Sequence, residues 1–205
     1  MAAKPRIRTS KRGSSIAFYT TNPGKVHEVE TLLQPLGYKV LWRKRSLLEP
    51  QAECLEEVVK VKLGAVSSKD LVVMVEDSGL FVKSLGGFPG VYSSYVMKTI
   101  GPKSLIPLLE GKDRAAEFRA VIGLREMGRI RFFTGIASGA ISTEARGTGG
   151  FGFDPVFIPE GESRTMAEMG TEEKNLISHR GKALRALLEH LERGARSPRK
   201  PVRKP

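Results

Sequence analysis

The sequence has few of the residues that build disulfide frameworks or zinc sites. It contains one cysteine, Cys54, and three histidines among 205 residues. A single cysteine cannot form a disulfide within its own chain, which is typical of a protein in a reducing cytoplasm. Zinc sites need several cysteine or histidine ligands, so we do not expect a zinc protein.

The sequence also lacks a long apolar run. None of its hydrophobic stretches approaches the ~18 residues of a membrane-spanning helix, and no signal peptide is recognisable. Hydrophobic residues nevertheless make up 40% of the chain, which is enough for a core. The length suits one domain, or one domain folded as two lobes, and we expect a cytoplasmic protein without membrane contact.

Acidic residues are absent from both ends of the chain, and this accounts for the net charge of +12. Residues 1–12 contain five basic residues and residues 193–205 contain six, which leaves 23 of the 34 basic residues against 22 acidic ones elsewhere. We expect disordered basic tails at 1–14 and 193–205 and a folded domain at 15–192. The tails would serve solubility or a weak, salt-sensitive contact with nucleic acid.

Strand and helix patterns alternate in the first half of the sequence. Ser15–Thr20 and Tyr38–Trp42 have the composition of strands, and a helix that stops near Pro35–Gly37 separates them. A second helix at Leu55–Ser67 precedes the apolar strand Leu71–Val75. This order predicts an α/β protein with parallel pairing in part of its sheet.

The second half has a different pattern. The elements expected there are a helix at Pro102–Leu109, strands at Ala115–Arg125, Arg129–Ile141 and Val156–Ile158, and a last helix at Gly181–Glu192. The two longer strands meet at Met127-Gly128, which predicts a hairpin. Ser178 is placed to cap the last helix.

A polar turn, Thr20-Thr21-Asn22-Pro23-Gly24-Lys25, joins the first strand to the first helix. The N-terminus of a helix has unpaired N–H groups and a partial positive charge, so it can hold a phosphate. Lys25 would add a full charge and Asn22 a polar contact. The turn lacks the P-loop pattern, and an ordinary turn with a surface lysine is the alternative.

Two acidic residues follow the apolar strand, in Glu76-Asp77-Ser78-Gly79. Ligands of open α/β sheets bind beyond the carboxyl ends of strands, so these acids are well placed to hold a divalent cation. Mg²⁺ prefers oxygen ligands together with substrate phosphates, and Glu49 is a candidate second ligand. The alternative is an Asx turn before Gly79.

A lysine interrupts the apolar stripe of the second helix. Lys62 lies at helical spacing from Leu55, Val58 and Val59, so it faces inward or toward a cleft. A lysine on the buried side of a helix usually has an anionic partner. A lysine whose charged end reaches solvent is the alternative.

Two phenylalanines lie between glycines in the segment Gly147–Lys182. Phe151 and Phe153 could present flat faces to a base, although single aromatic residues usually belong to the core. Lys174 could hold a phosphate. The side chains that could read the edge of a base are Asp154, His179 and Arg180. A capping side chain at the start of the next helix is the alternative for His179, but the combination predicts a nucleotide site.

Together these motifs resemble the inosine triphosphate pyrophosphatase family. The segments that carry the resemblance are TTNPGKVHEVE, EPQAECLEEVVKVK, VEDSGLFVKSLGGFPGVYSSY, GTGGFGFDPVFIP and EEKNLISHRGKAL. They occur in the family's order and cover about Ile16 to Leu191, without the basic tails. The third segment is most similar to archaeal members.

The resemblance implies an elongated, two-lobed α/β fold with a mixed sheet and the active site in the cleft between the lobes. It implies Mg²⁺-dependent hydrolysis of non-standard purine nucleoside triphosphates to the monophosphate and pyrophosphate. The expected substrates are ITP, XTP and their deoxy forms, and the expected assembly is a homodimer. Nucleic-acid binding through the tails is the alternative from another class, and a pyrophosphatase of modified pyrimidine nucleotides is the enzymatic alternative.

The resemblance also implies roles for individual residues. Asp77 would be the general base and a metal ligand, and Glu49 would be the other metal ligand. Lys62 would reach the phosphates, and Ser78 would contact the substrate. The remaining expected nucleotide contacts are Thr20, Thr21, Asn22, Pro23, Gly24, Lys25, Phe151, Gly152, Phe153, Asp154, Lys174, His179 and Arg180.

Four residues depart from the family pattern. Thr21 stands where most members have glycine, and Pro50 lies inside the Glu-x-Gln element. Phe153 replaces a common tyrosine, and Ser94 stands where bacterial members often have arginine. The residue at Thr21 leaves the shape of the phosphate turn undetermined. The residue at Ser94 leaves it undetermined whether one phosphate contact of bacterial members is present.

Overall fold

The structure, a computed structural model, describes residues 15–66 and 72–196. The predicted N-terminal tail therefore lies outside the described residues, as does the C-terminal tail from residue 197. The last helix continues to Arg196, so the first residues of the predicted C-terminal tail are helical. Within the described residues, no helix combines the length and apolar composition needed to cross a bilayer.

The first half of the chain alternates strands and helices, as its sequence predicts. The elements are β1 (Ser15–Tyr19), α1 (Pro23–Leu33), β2 (Lys39–Arg43), α2 (Leu55–Gly64) and β3 (Val72–Val82). The Asn22 side chain caps α1, and a 3₁₀ turn that ends at Gly37 follows the helix. Gly37 has a φ of 84°, a conformation that glycine adopts without strain.

The second half consists of two short helices, a long hairpin and two C-terminal helices. The elements are α3 (Ser93–Thr99), α4 (Leu105–Leu108), β4 (Ala115–Glu126), β5 (Arg129–Ile141), β6 (Phe157–Pro159), α5 (Thr171–Ile177) and α6 (His179–Arg196). The hairpin predicted at Met127-Gly128 is confirmed, and both residues have positive φ. The Ser178 hydroxyl accepts a hydrogen bond from the backbone N–H of Gly181, so it caps α6 as predicted.

All six strands belong to one mixed sheet with the order β2-β1-β3-β4-β5-β6. The strand β1 pairs in parallel with β2 and with β3, whereas β3 to β6 pair antiparallel. The predicted α/β class with partial parallel pairing is therefore confirmed. The antiparallel part comes from the hairpin in the second half of the chain.

Helices cover both faces of the first part of the sheet. On one face, Phe18 and Met74 pack with buried residues of α1 and α6, including Leu33 and Leu187. On the opposite face, side chains of the same strands pack against α2, where Leu63 is fully buried. The alternation of side chains along β1 and β3 produces these two apolar layers.

A further core region lies at the other end of the long strands. Leu80 of β3 and Phe118 of β4 pack there with Leu105 of α4 and with Val156 and Phe157. The strands β3 and β4 pass through both regions and so connect them. The segment of β3 between the two regions carries the acidic residues singled out in the sequence.

The strand β3 is longer than the sequence pattern indicates. It continues through Glu76-Asp77-Ser78-Gly79 to Val82, so the expectation that these residues follow the strand is wrong. The alternative of an Asx turn is also wrong, because β3 pairs with β4 along the whole length of β3. The parallel neighbour β1 ends at Tyr19, after pairing Phe18 with Met74. The acids thus lie beyond the carboxyl end of β1, inside a continuing strand.

A glycine allows α6 to approach the sheet closely. A Cβ atom on Gly135 of β5 would lie 2.0 Å from the His179 carbonyl oxygen and 2.5 Å from the Ala183 nitrogen. Backbone atoms cannot yield as a flexible side chain can. We expect Gly135→Ala to lower the free energy of unfolding by about 1–3 kcal/mol in urea denaturation.

Gly64 is the matched control for this prediction. It lies in α2, and a Cβ there would meet nothing within 4 Å. We expect Gly64→Ala to be neutral or to stabilise the protein by up to about 1 kcal/mol. Equal unfolding midpoints for Gly135→Ala and the wild type would show that the contact between α6 and β5 is not tight.

Candidate active site

A cleft of about 780 Å³ lies beside the end of β1. Its lining includes the residues expected to bind phosphate and metal, namely Thr20, Thr21, Asn22, Lys25, Glu49, Lys62, Asp77 and Ser78. It also includes Phe151, Gly152, Phe153, Asp154, His179 and Arg180. Gly24 and Lys174 lie behind this lining, against Phe151 and Asp154, and Pro23 is the first residue of α1. The fold therefore brings both predicted halves of the site to one cleft.

The pleat of β3 separates its two acidic residues. Successive side chains of a strand point to opposite faces, so Glu76 and Ser78 face α6 while Asp77 faces α2. The expectation that Glu76 and Asp77 form the cation-binding pair is therefore wrong. The carboxylate that shares a partner with Asp77 is Glu49, from the loop between β2 and α2.

Lys62 links Asp77 to Glu49. Its Nζ lies 2.6 Å from Asp77 Oδ1 and 2.8 Å from Glu49 Oε1. Lys62 is 6% exposed, as its position on the apolar stripe of α2 predicts, and its partners are anionic. Burial alone would lower the pKa of Lys62, but the charges of Asp77 and Glu49 raise it above its usual value. Lys62 is therefore a fully charged cation between two carboxylates.

The two carboxylates differ in their electrostatics. Burial raises the pKa of Asp77 above its usual value, although the Lys62 ammonium opposes this effect. Burial also acts to raise the pKa of Glu49, but the charge of Lys62 outweighs it and the pKa is lowered. The side chain of Glu49 is about half exposed, whereas that of Asp77 is 10% exposed. Asp77 is therefore the better proton acceptor of the two.

The oxygen atoms of Asp77 and Glu49 fit the preferences of Mg²⁺. Both contact one nitrogen, so the two oxygens lie close enough to share a cation. Among residues 15–66 and 72–193, no cluster of three or more histidine, cysteine or acidic side chains is arranged to hold a metal. A protein usually contributes one or two carboxylates to a Mg²⁺ site, and phosphate oxygens and water molecules occupy the other positions around the ion.

The turn before α1 uses its own side chains to satisfy its backbone. Asn22 Oδ1 accepts hydrogen bonds from Gly24 N (2.9 Å) and Lys25 N (3.3 Å), and Thr20 Oγ1 accepts one from Asn22 N (3.1 Å). Pro23 has no N–H. The expectation of unpaired N–H groups in the first turn of this helix is therefore wrong for Gly24 and Lys25.

Lys25 extends from this turn to the centre of the cleft. Its Nζ lies 2.5 Å from Glu76 Oε2, and its side chain is 14% exposed. It is thus not the surface lysine of an ordinary turn. Burial alone would raise the pKa of Glu76, but the charges of Arg180 and Lys25 lower it to about 2. Glu76 is therefore an anion that anchors two cations.

Buried ion pairs continue from Glu76 into the protein. Arg180 donates to Glu76 Oε1 through Nη2 (3.0 Å) and to Glu28 Oε2 through Nη1, and it is 1% exposed. Glu28 Oε1 lies 2.5 Å from Lys174 Nζ, which also contacts Asp154 Oδ2 at 2.6 Å. The charges of Arg180 and Lys174 outweigh burial and lower the pKa of Glu28. The network therefore alternates in charge from the cleft to the interior.

These contacts define what Lys174 and Asp154 do in the folded chain. Both side chains are 3% exposed, and they bind each other. Asp154 also accepts a hydrogen bond from the backbone N–H of Phe151 at 2.7 Å. Lys174 and Asp154 therefore position the loop that carries Phe151. The sequence had indicated that Lys174 binds a phosphate and that Asp154 contacts the edge of the base.

The two phenylalanines between glycines have different environments. Phe153 is 3% exposed and packs in the core with Val156 and Phe157. Phe151 is half-buried, and the Lys174 ammonium lies 4.8 Å from the centre of its ring. A Cβ on Gly24 would lie 2.4 Å from Phe151 Cδ1, so the ring packs against the phosphate turn. Phe151 is therefore the aromatic residue available to a ligand.

His179 is a buried and neutral side chain at the edge of the cleft. Its ring stacks on Phe118 with 4.5 Å between ring centres, and it is 3% exposed. Burial, and then the charge of Arg180, lower its pKa well below the usual value. Within the described residues, His179 Nδ1 has no hydrogen-bond partner. The site therefore has an uncharged ring at its edge, with a buried nitrogen that lacks a hydrogen bond.

Sequence reasoning missed Glu28 and Phe118. Glu28 lies three residues after Lys25, and its partner Arg180 follows 152 residues later. Phe118 belongs to a strand whose alternation marks it only as core. An acid on the inner side of α1 was the available signal for Glu28, because a buried carboxylate needs cationic partners.

The positions that depart from the family pattern differ in their access to the cleft. Thr21 and Ser94 line the cleft. Phe153 also lines it, although most of its side chain packs in the core. Ser93, beside Ser94, is used structurally, because its hydroxyl accepts a hydrogen bond from Leu80 N and donates one to the Gly90 carbonyl. Pro50 is half-buried in the loop before α2.

Comparisons with known proteins give consistent results. A profile of the Ham1 family matches residues 16–190. A dITP/XTP pyrophosphatase of Pyrococcus horikoshii is 52% identical over 178 residues, which cover 86% of this chain and 96% of that protein. A dITP/XTP pyrophosphatase of Thermococcus kodakarensis is 54% identical over 172 residues, covering 83% of this chain and 93% of that protein.

Solved structures agree with the sequence matches. A HAM1 protein from Coxiella burnetii has a TM-score of 0.75 and 31% identity, and the match covers 87% of this chain and 98% of that one. The Ham1 protein of Staphylococcus aureus has a TM-score of 0.73 and 29% identity with the same coverage. The resemblance seen in the sequence is confirmed, and the chain belongs to the Ham1 family.

Proposed function

We propose that this protein hydrolyses ITP, dITP, XTP and dXTP to the nucleoside monophosphate and pyrophosphate, and so removes them from the nucleotide pool. One observation carries the proposal. The same cleft contains a lysine between two carboxylates on one side and an aromatic ring with a neutral imidazole on the other. The relatives named dITP/XTP pyrophosphatase support the choice of substrate.

Two lysines would bind the triphosphate. Lys25 and Lys62 both line the cleft, and each is held by carboxylates rather than free in solvent. Cations placed beside a leaving pyrophosphate stabilise the charge that develops on it. The chain would therefore accelerate the reaction mainly through positioning and electrostatics, as in phosphoryl transfer generally.

Glu49 and Asp77 would hold Mg²⁺ together with substrate phosphates. When bound, the ion would neutralise phosphate oxygens and so make the phosphorus easier to attack. The carboxylate oxygens of these two residues supply the hard ligands that Mg²⁺ prefers. Substitution of Asp77 or Glu49 should therefore abolish the metal-dependent activity.

Asp77 would also act as the general base. Its pKa is raised by burial, which makes its carboxylate a stronger proton acceptor than an exposed aspartate. A water held by this carboxylate would lose a proton to it while attacking the α-phosphorus in line with the leaving pyrophosphate. The products are then the nucleoside monophosphate and pyrophosphate.

The opposite end of the cleft would choose the base. Phe151 offers a ring face, and the neutral, buried ring of His179 lies at the edge of the same cleft. Hypoxanthine and xanthine carry an oxygen at position 6, whereas adenine carries an amino group. Donors placed for that oxygen would leave an adenine amino group unpaired, and buried unpaired groups make discrimination steep.

We also propose a homodimer that acts in the cytoplasm. The family resemblance supports the dimer. The single cysteine, which cannot form an internal disulfide, supports a reducing compartment.

Asp77→Asn tests the catalytic assignment. The amide keeps the size of the side chain but cannot accept the proton, so we expect kcat for pyrophosphate release from ITP to fall by at least about 10²-fold. The exposed Asp113 is the control, and Asp113→Asn should turn over normally. Near-normal turnover by Asp77→Asn in Mg²⁺ would reject its role.

A nucleotide panel tests base selection. Initial rates of pyrophosphate release from ITP, XTP, GTP and ATP, with and without Mg²⁺, should be high for ITP and XTP and lower for ATP by up to about 10⁴-fold. Substituting His179 with glutamine should reduce the ratio of ITP to ATP turnover. Equal rates on ITP and ATP would contradict the proposed use of the 6-oxygen.

The buried imidazole also predicts a dependence of stability on pH. Because the pKa of His179 is lowered in the folded state, only the unfolded chain takes up a proton as the pH falls through about 6.5. Its contribution to stability is complete above that pH and decreases by about 1.4 kcal/mol by about pH 5.5. The buried carboxylates with lowered pKa lose their contributions only at more acidic pH.

Urea denaturation at about pH 7.5 and about pH 5.5 measures this loss. His179→Gln should remove most of it, whereas His27→Gln, at an exposed position on α1, should retain it because the buried imidazole is still present. An unchanged pH dependence in His179→Gln would show that this imidazole does not titrate as its burial predicts.

A further inference from the structure

Lys62 occupies the place between the carboxylates of Asp77 and Glu49. Its Nζ contacts one oxygen of each at 2.6 Å and 2.8 Å. These are the two acidic residues that the proposed function assigns to the metal. The cation between them in this structure is therefore part of the chain itself.

A divalent cation would compete with this ammonium group for the same two oxygens. Mg²⁺ binds its ligands at about 2.0–2.1 Å and requires nearly octahedral geometry. A second cation at hydrogen-bond distance from the same oxygens would be repelled, more strongly beside the buried Asp77 than in bulk water. Metal bound by both oxygens therefore favours movement of Lys62 away from at least one carboxylate.

A displaced Lys62 needs another anion. It is 6% exposed on a helix face between Val59 and Leu63, which are both fully buried, so its charge cannot simply move into bulk water. A buried ammonium without a partner is strongly unfavourable. The phosphates of a nucleotide are the anions that would reach this part of the cleft.

We propose that Lys62 is an exchangeable counter-ion, which neutralises Asp77 and Glu49 in the free protein and moves onto substrate phosphate when a divalent cation replaces it. This inference rests on the proposed function. The metal then binds weakly to the free protein and tightly together with nucleotide. The metal displaces Lys62 from the carboxylates, and the phosphates of the nucleotide give Lys62 a new anionic partner. Lys62 thereby couples metal binding to substrate binding, in addition to its contact with phosphate.

Binding of Mn²⁺, measured from the electron paramagnetic resonance signal of the free ion, tests this coupling without turnover. For the wild type, we expect the dissociation constant of Mn²⁺ to fall at least about tenfold when a non-hydrolysable α,β-methylene analogue of ITP is present. For Lys62→Met without nucleotide, we expect Mn²⁺ to bind at least about tenfold more tightly than to the wild type.

Lys60→Met is the matched control, since Lys60 is exposed on the same helix and should leave Mn²⁺ binding unchanged. Lys62→Gln keeps a hydrogen-bond donor and should show the same tightening if Lys62→Met does not fold by circular dichroism. Equal or weaker Mn²⁺ binding by the folded Lys62 variants would overturn the inference. Wild-type release of pyrophosphate from ITP would still support the proposed function in that case, whereas its absence would reject the function itself.

Discussion

The active-site region depends on the placement of Arg180 between Glu28 and Glu76. This guanidinium is almost completely buried, and it joins α6 to both α1 and β3. A buried charge is tolerated only where its partners are fixed, so each carboxylate is bound to a second cation, Lys174 or Lys25. The positions of the phosphate turn, the central strand and the last helix are therefore linked by charge.

Order along the chain and local pattern were sufficient to predict most of the fold. The alternating strands and helices, the hairpin at Met127-Gly128 and the cap at Ser178 all follow from neighbouring residues. The length of β3 did not follow, because Glu76 and Asp77 are not strand formers. Long-range pairing with β4 holds them in the strand, and no local pattern shows that pairing.

The candidate site was predictable in composition but less so in geometry. Motif residues such as Lys25, Asp77 and His179 do meet at one cleft. The partners of these residues could not be predicted, because an ion pair such as the one between α1 and α6 joins residues that are far apart in the sequence. The sequence therefore could not show that Lys174 and Asp154 would bind each other inside the protein.

The pleat of β3 has a consequence for how such an enzyme can diversify. Glu76 points toward α6, which carries His179 and Arg180, and Asp77 points toward α2, which carries Lys62. Adjacent residues of one strand thus belong to two separate charge networks, one with α1 and α6 and the other with α2. Under the proposed function, inherited changes at His179 would alter which base is accepted, while the acid and the lysine on the α2 side stay the same.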